Sequence, residues 1–221
     1  MDQETWTAVD RYFNEAAVGP DTALDAAAAA AEAAQLPPVS VTPGYGKLLH
    51  LIARAQGAKR VLEIGTLAGY STIWLARAVP SDGRVITLEF NPKHADIARA
   101  NLARAGLAER VEIRVGPALD SLSALAAAHE QPFDFIFIDA DRPNVATYFD
   151  WAVKLAHRGS VIVVDNVVRK GRVLDTSNSD PEIVGVRRFV ERLASDSRVS
   201  ATMMQIVSAK GHDGFALALV V

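Results

Sequence analysis

The stretch Arg60–Ser71, Arg-Val-Leu-Glu-Ile-Gly-Thr-Leu-Ala-Gly-Tyr-Ser, constrains the fold more than any other part of the chain. Its residues Val61, Leu62 and Ile64 form a short apolar run, which is typical of a strand buried on both faces. The two glycines that follow allow the backbone to turn and a ligand to approach it closely. A buried strand followed by a glycine turn and a helix predicts a ligand pocket at the carboxyl end of a parallel strand.

The glycine spacing and one acidic residue indicate which ligand this pocket takes. Gly65 and Gly69 are four residues apart, which is not the G-x-G-x-x-G spacing of dinucleotide sites. We expect Ser71 to cap a helix over residues 72–78 and to leave free N–H groups at its start. Glu63, the last residue but one of the strand, would repel a pyrophosphate and attract a cation. We therefore predict a ligand with positive charge.

The region before this stretch is expected to be helical. Residues 1–55 are predicted to form an N-terminal helical cap on the α/β core of residues 56–221, within a single domain. Apolar residues at three-and-four spacing and an alanine-rich run both favour helices, and Val39–Thr42 is expected to be extended. The predicted helices span residues 4–18, 22–35 and 43–55.

From Lys59 onward, strand and helix patterns alternate with little interruption. Alternating β and α units predict an α/β fold with a doubly wound, mostly parallel sheet. The last two strands flank Gly211–Gly214, which we expect to be a hairpin connection, so the terminal pair should be antiparallel. The seven predicted strands span residues 61–64, 85–88, 111–115, 133–138, 161–164, 199–207 and 215–221.

Polar residues stand at the ends of several predicted strands, where open α/β sheets bind their ligands. Any one of them can simply close a turn, but several acids at one edge repel one another unless a cation lies among them. An acid at the position of Glu89 can accept both ribose hydroxyls of a nucleoside, in either a nicotinamide or an adenosyl cofactor. Glu63 and the glycine spacing favour the adenosyl cofactor, whose sulfonium is positive. The strand-end residues are Glu63, Glu89, Asp139, Asp165 and Asn166.

Three of these residues, Asp139, Asp165 and Asn166, come from adjacent strand ends and offer only oxygen ligands. An all-oxygen set without His or Cys suits a hard cation such as Mg²⁺, Mn²⁺ or Ca²⁺. We therefore predict a divalent metal site beside the nucleoside pocket.

Composition excludes several other classes of protein. None of the 221 residues is cysteine, which excludes disulfides and thiolate metal sites. The formal net charge of −3 provides no electrostatic footprint for nucleic acid. The acidic start Met1–Glu4 is unlike a signal peptide, and no apolar run approaches the roughly 20 residues that span a bilayer. We expect a soluble cytoplasmic protein that binds neither nucleic acid nor membranes.

Four motifs together resemble the cation-dependent class I O-methyltransferases, the group that contains the catechol and caffeoyl-coenzyme A O-methyltransferases. The resemblance covers residues 39–221, whereas the glycine loop alone would mark only the wider methyltransferase superfamily. The motifs are Val-Leu-Glu-Ile-Gly-Thr-Leu-Ala-Gly-Tyr-Ser (61–71), Phe-Ile-Asp-Ala-Asp (137–141), Val-Val-Asp-Asn-Val (163–167) and Gly-His-Asp-Gly (211–214).

The resemblance implies a Rossmann-like fold, S-adenosylmethionine as cofactor, a phenolic or catechol small molecule as substrate, and a homodimer. It implies that Glu89 takes the ribose, Ala118 the adenine edge, and Val41 and Thr42 the methionine end of the cofactor. The cofactor-binding residues implied in this way are Val41, Thr42, Glu63, Gly65, Thr66, Gly69, Ser71, Glu89, Phe90, Gly116, Pro117, Ala118 and Asp139.

The same resemblance implies that Asp139, Asp165 and Asn166 ligate the metal. At one position near this set the sequence departs from the family pattern. The usual lysine, three residues after the first metal aspartate, is replaced by Arg142. An arginine stays protonated and cannot act as a general base. Either the metal alone acidifies the substrate hydroxyl, or Arg142 binds a substrate anion or stabilises the phenolate. We favour electrostatic stabilisation, which makes Asp139 and Arg142 the candidate catalytic residues.

Three other functions compete with a catechol O-methyltransferase. A branch of the same fold methylates hydroxylated uridine in tRNA, but the acidic balance and the lack of a lysine-rich patch oppose it. A nicotinamide-dependent oxidoreductase needs a phosphate-cradling loop, which Glu63 and the glycine spacing oppose. A non-catalytic adenosyl-binding module would keep the pocket but show no dependence on a divalent ion.

Overall fold

The computed structural model describes residues 2–221, which form one seven-stranded sheet with helices on both faces. The strands are β1 (Arg60–Ile64), β2 (Arg84–Glu89), β3 (Val111–Val115), β4 (Phe133–Ile138), β5 (Ala156–Asp165), β6 (Val199–Ser208) and β7 (Gly211–Val220). The α-helices are α1 (Gln3–Phe13), α2 (Thr22–Ala33), α3 (Pro43–Ala55), α4 (Tyr70–Ala78), α5 (Pro92–Arg104), α6 (Ala118–Ala127), α7 (Val145–Leu155) and α8 (Pro181–Ser195). A π-helical turn (Asn14–Val18) extends α1, and short 3₁₀ segments span Ala108–Arg110, Arg142–Asn144 and Arg169–Leu174.

The strand order β3-β2-β1-β4-β5-β7-β6 confirms the predicted doubly wound sheet. The first five strands in this order pair in parallel, while β7 runs antiparallel to both β5 and β6. The chain leaves β1 towards β2 on one side and reaches β4 on the other, so the order reverses beside β1. A crevice forms at such a switch point beyond the carboxyl ends of the strands.

Apolar side chains on both faces of the central strands bury the sheet, as expected for parallel strands. Leu62 and Ile64 join one core cluster with residues of α6, α7 and α8. Val61 points to the opposite face and joins a second cluster with residues of α3, α4 and α5. The crevice at the end of β1 is therefore held between two packed layers.

The connection between β6 and β7 differs from the prediction. Gly211–Gly214 is part of β7 and pairs with Gln205–Ser208, so the turn is Ala209–Lys210. A Cβ at Gly214 would lie 2.2 Å from the carbonyl oxygen of Met204, which shows that glycine serves close strand approach here. The glycines therefore mark strand positions and not the hairpin turn.

The N-terminal helices extend the layer that covers one face of the sheet. Leu49 and Ala53 of α3 are fully buried, and Leu24 and Ala27 of α2 join the same cluster. Among residues 2–221, no helix combines the length and apolar character needed to cross a membrane.

Candidate active site

A cavity of about 950 Å³ lies at the carboxyl ends of the parallel strands, at the predicted edge of the sheet. Of the residues predicted to form the site, eleven line this cavity: Val41, Gly65, Thr66, Ser71, Glu89, Phe90, Pro117, Ala118, Asp139, Arg142 and Asn166. Thr42, Glu63, Gly69, Gly116 and Asp165 lie outside this lining set.

Gly65 is required by the close approach of two strand ends. Its φ is +105°, and a Cβ there would lie 2.2 Å from the carbonyl oxygen of Asp139. Backbone bonds fix the same junction, because Gly65 N donates to Leu88 O at 3.0 Å and Asp139 N donates to Ile64 O at 2.9 Å. The glycine thus places Asp139 directly beside the end of β1.

Glu63 lies behind the cavity wall and is not among the residues that line the cavity. The side chain is fully buried and accepts hydrogen bonds from the hydroxyls of Ser71 (2.6 Å), Thr72 and Thr87 (2.7 Å). Burial raises the pKa of Glu63 to about 7, although the hydroxyl bonds oppose the shift. Through the bonds from Ser71 and Thr72, Glu63 holds the first turn of α4 against the sheet.

The prediction that Ser71 caps the following helix is wrong. Helix α4 begins at Tyr70, and its N-cap is Gly69 with a φ of 81°. Ser71 lies inside the first turn, where its hydroxyl donates to Glu63 while the residue still lines the cavity. The first turn of α4 therefore has no side-chain cap and borders the cavity through Tyr70 and Ser71.

Glu89 organises the opposite side of the glycine turn. Its Oε2 accepts from Leu67 N at 2.8 Å and Thr66 N at 3.3 Å, and its Oε1 accepts from Asn91 N at 2.9 Å. His94, which the sequence pattern gave no role, lies 3.4 Å from Oε1 through its Nδ1 and also lines the cavity. Glu89 thus reaches the cavity while bracing the turn after β1.

Phe90 and the turn before α6 border the same end of the cavity. Phe90 is 75% exposed and lines the cavity, so its ring is available to a ligand there. Gly116 has a φ of 139° and donates its N–H to Glu89 O at 2.9 Å, which brings Pro117 and Ala118 to the cavity wall.

The other end of the cavity is charged. Arg142 Nη2 donates to Asp139 Oδ1 at 2.8 Å and also to Asn166 Oδ1, while Nη1 donates to the backbone oxygen of Ala140. Burial lowers the pKa of Arg142, but the Asp139 carboxylate outweighs this effect and raises it overall. Arg142 therefore stays a cation, in agreement with the prediction that it cannot be a base.

Asp165 completes the predicted metal set from a more buried position. It is 7% exposed, and burial together with the Asp139 carboxylate raises its pKa well above the ordinary value. The buried hydroxyl of Tyr45 lies beside Asp165, and burial followed by the Asp165 and Asp139 charges raises its pKa. Asp139 and Asp165 thus lie close enough for each carboxylate to disfavour the charge of the other, unless a cation lies between them.

The residues present fit a hard divalent cation by one geometric observation. A single nitrogen, Arg142 Nη2, is within hydrogen-bond distance of both Asp139 Oδ1 and Asn166 Oδ1, so one cation can contact both oxygens. With Asp165, the donor set consists only of oxygens, as hard cations prefer. Residues 2–221 contain no cluster of three or more His, Cys, Asp or Glu side chains arranged for a metal. The predicted set does not depend on such a cluster, because one of its three ligands is an amide.

This end of the cavity also contains polar residues that the sequence did not indicate as part of the site. Tyr148 of α7 lines the cavity and donates its hydroxyl to Asp141. Asn144 Nδ2 donates to the other oxygen of Asp141 at 2.6 Å, and Arg169 pairs with Glu182 across the cavity wall. Arg169 and Glu182 lie outside the strand ends, so no local pattern indicated them.

Comparison with known proteins identifies the family. The sequence profile of the O-methyltransferase family matches residues 16–220. The chain is 54% identical over 212 residues to a catechol O-methyltransferase of Mycobacterium tuberculosis, covering 96% of this chain and 94% of the relative. It is 48% identical to a catechol O-methyltransferase of Niastella koreensis over the full length of both chains. An O-methyltransferase of Bacillus cereus, solved in complex with SAH, superposes with a TM-score of 0.98 at 53% identity, covering 100% of each chain. The chain therefore belongs to the O-methyltransferase family.

Proposed function

We propose that the protein transfers a methyl group from S-adenosylmethionine to one hydroxyl of a catechol-like small molecule, with a hard divalent cation in the site. The observation that carries the proposal is one cavity with two chemically distinct ends. One end has Glu89, Phe90 and the glycine turn, which suit a nucleoside, and the other has Asp139, Arg142 and an amide oxygen. The relatives named catechol O-methyltransferase support the substrate class.

In this proposal S-adenosylmethionine binds along the first of these ends. Glu89 and Ala118 border the nucleoside position, and Val41 borders the position of the methionine end. The buried Glu63 acts indirectly in this scheme, because it fixes Ser71 at the start of α4. The helix N-terminus then offers N–H groups to a carboxylate, as helix starts commonly do.

Asp139, Asp165 and Asn166 would hold Mg²⁺, Mn²⁺ or Ca²⁺. When bound, such a cation would lower the pKa of a substrate hydroxyl and orient it, as a Lewis acid and a template. In the structure the Arg142 guanidinium takes the position between Asp139 and Asn166 that the cation would occupy. With the cation bound, the guanidinium would act from beside this position, where its fixed positive charge would stabilise negative charge that develops on the acceptor oxygen. The protein otherwise contributes position, by holding acceptor and methyl donor in line within one cavity.

A methyl-transfer assay on a panel of catechols, with and without a chelator, tests the proposal. We expect product only with vicinal hydroxyls, loss of activity in chelator, and recovery on addition of Mg²⁺ or Mn²⁺. Asp165→Asn should lose the response to metal, whereas Asp82→Asn, at a surface aspartate whose side chain is 71% exposed, should keep it. Full activity in chelator, or equal activity on monophenols, would contradict the metal-dependent mechanism.

We also propose a homodimer and a cytoplasmic location. The homodimer rests on the family resemblance, and the reducing compartment on the absence of cysteine from all 221 residues. Light scattering coupled to gel filtration would test the assembly: a monomer mass at micromolar concentration would contradict the homodimer.

A further inference from the structure

The segment Pro37–Thr42, here called the strap, lies between α2 and α3 and is part of neither a helix nor a strand. Val39, Ser40 and Val41 of the strap line the cavity on the side assigned above to the cofactor. At its end, the Thr42 hydroxyl accepts from Tyr45 N at 3.4 Å and caps α3. The strap therefore depends on contacts from elsewhere in the chain to keep its position.

Lys210 supplies such contacts from the β6–β7 turn. Its ammonium donates to the carbonyl oxygen of Pro38 at 3.1 Å and to that of Ser40. Alternate carbonyls of an extended segment point to the same side, so one ammonium can reach both. Burial lowers the pKa of Lys210, while the Asp139 and Asp165 carboxylates oppose this shift. An ammonium has donors and no acceptor, so Lys210 acts on the strap and not as a proton acceptor.

The turn that carries Lys210 is itself fixed by the first helix. Gln3 Nε2 donates to the carbonyl oxygens of Ser208 and Ala209, each at 3.0 Å. Asp10 Oδ2 accepts from Ala209 N at 2.7 Å. A continuous set of hydrogen bonds thus leads from α1 through the turn and Lys210 to a wall of the cavity.

We infer that Lys210 is a positioning residue, which holds the strap against the bound cofactor and so sets cofactor affinity. The inference rests on the proposed use of this end of the cavity by S-adenosylmethionine. It assigns α1 a functional part, because the helix fixes the turn from which Lys210 reaches the strap. Neither α1 nor Lys210 is among the residues that line the cavity.

The test compares Lys210→Met with the wild type by calorimetric titration of SAH. Methionine keeps most of the unbranched side chain but removes both charge-assisted bonds, so we expect affinity to fall about tenfold. At saturating cofactor, kcat should stay near the wild-type value, and amide hydrogen exchange at Ser40 and Val41 should accelerate. Lys210→Arg, which keeps donors in reach, should recover part of the affinity. Lys59→Met, at an exposed lysine 3.7 Å from Asp82, is the matched control.

The possible results separate this inference from the proposed function. A wild type that binds SAH and a Lys210→Met variant that binds it equally would overturn the role of Lys210 and leave the function intact. A fall in kcat at saturating cofactor with unchanged SAH affinity would also overturn it. A wild type that binds no SAH would contradict the proposed function and the inference together.

Discussion

Arg142 Nη2 lies 2.8 Å from Asp139 Oδ1, and both side chains are largely buried, with 11% and 18% of their areas exposed. Asp165 is buried nearby, so this edge of the sheet places two carboxylates around one guanidinium. A buried ion pair is costly to break, because removal of one partner leaves an uncompensated charge. The charge at this end of the cavity therefore depends on Arg142, which keeps its proton.

Replacement of Arg142 tests the role of this charge in catalysis. We expect Arg142→Met to lower kcat about 100-fold, the usual scale for loss of one donor to a developing anion. SAH affinity should change little, because the guanidinium lies at the other end of the cavity. Arg142→Lys, which keeps charge but not the planar fork, should be intermediate. The exposed Arg158 offers Arg158→Met as control. An unchanged rate across the pH–rate profile would remove Arg142 from the mechanism.

Glu63→Gln should change how stability depends on pH. In the fold the pKa of Glu63 is raised from 4.5 to about 7, so between these values the folded state binds more protons than the unfolded state. The free energy of unfolding then falls as pH rises through this range, by roughly 3 kcal/mol from this residue. Glutamine has no proton to lose, so this contribution should disappear.

Urea unfolding across the same pH range measures the effect as the difference between wild type and variant. The stability of Glu63→Gln relative to wild type should increase towards pH 7 and then level off. Glu112→Gln, at an exposed glutamate, should run parallel to the wild type. Parallel curves for Glu63→Gln would show that residue 63 does not titrate in this range.

The fold was predictable because its signals are local and redundant. Mostly apolar runs such as Phe133–Ile138 indicate strands that are buried on both faces of a sheet. In a parallel sheet the carboxyl ends of such strands lie at the same edge. This placed Asp139 and Glu89 correctly at the cavity. The environment of each side chain was less predictable. Glu63 is the penultimate residue of β1. Because side chains alternate between the two faces of a strand, it points to the same face as Val61, under α4.

Other features depend on contacts between distant parts of the chain. Arg169 and Asp213 are 44 residues apart, and Gly211–Gly214 was predicted as a turn because glycines favour turns locally. The register of β7 against β6 decided otherwise, since Gly214 must accept the close backbone of Met204. The register also places Lys210 in the turn, from which its ammonium reaches the carbonyl oxygens of Pro38 and Ser40.

Gly65→Ala should be far more damaging than a comparable substitution elsewhere. The added methyl would meet the Asp139 carbonyl oxygen at 2.2 Å, and φ is +105°, so strain and overlap together should cost roughly 3 kcal/mol or more. At Gly57 φ is +73°, but an added methyl there would have no atom of residues 2–221 within 4 Å beyond its chain neighbours, so Gly57→Ala should cost about 1 kcal/mol. Urea midpoints with unchanged m-values give the comparison. Equal losses would contradict steric contact at Gly65.

We expect the Asp213 side chain to fix the backbone of the segment that contains Asn166 and Arg169. Its Oδ1 accepts from Val168 N at 3.0 Å, Arg169 N at 2.9 Å and Gly214 N at 3.0 Å. Asn166 and Arg169 both have left-handed φ values, 61° and 54°, which such bonds must stabilise. Asp213→Ala leaves these N–H groups without their acceptor, so we expect a loss of about 2 kcal/mol in unfolding free energy.

The same substitution should lower methyl transfer more than SAH binding, because Asn166 and Arg169 line the acceptor end of the cavity. Asp213→Asn keeps the accepting oxygen and should recover most of the stability and activity. Asp175→Ala removes a similar cap, to Ser177, from an exposed loop and serves as control in urea unfolding and activity assays. If Asp213→Asn proved as damaging as Asp213→Ala, the negative charge and not the backbone bonds would be the important property, since only the charge differs between aspartate and asparagine at the accepting atom.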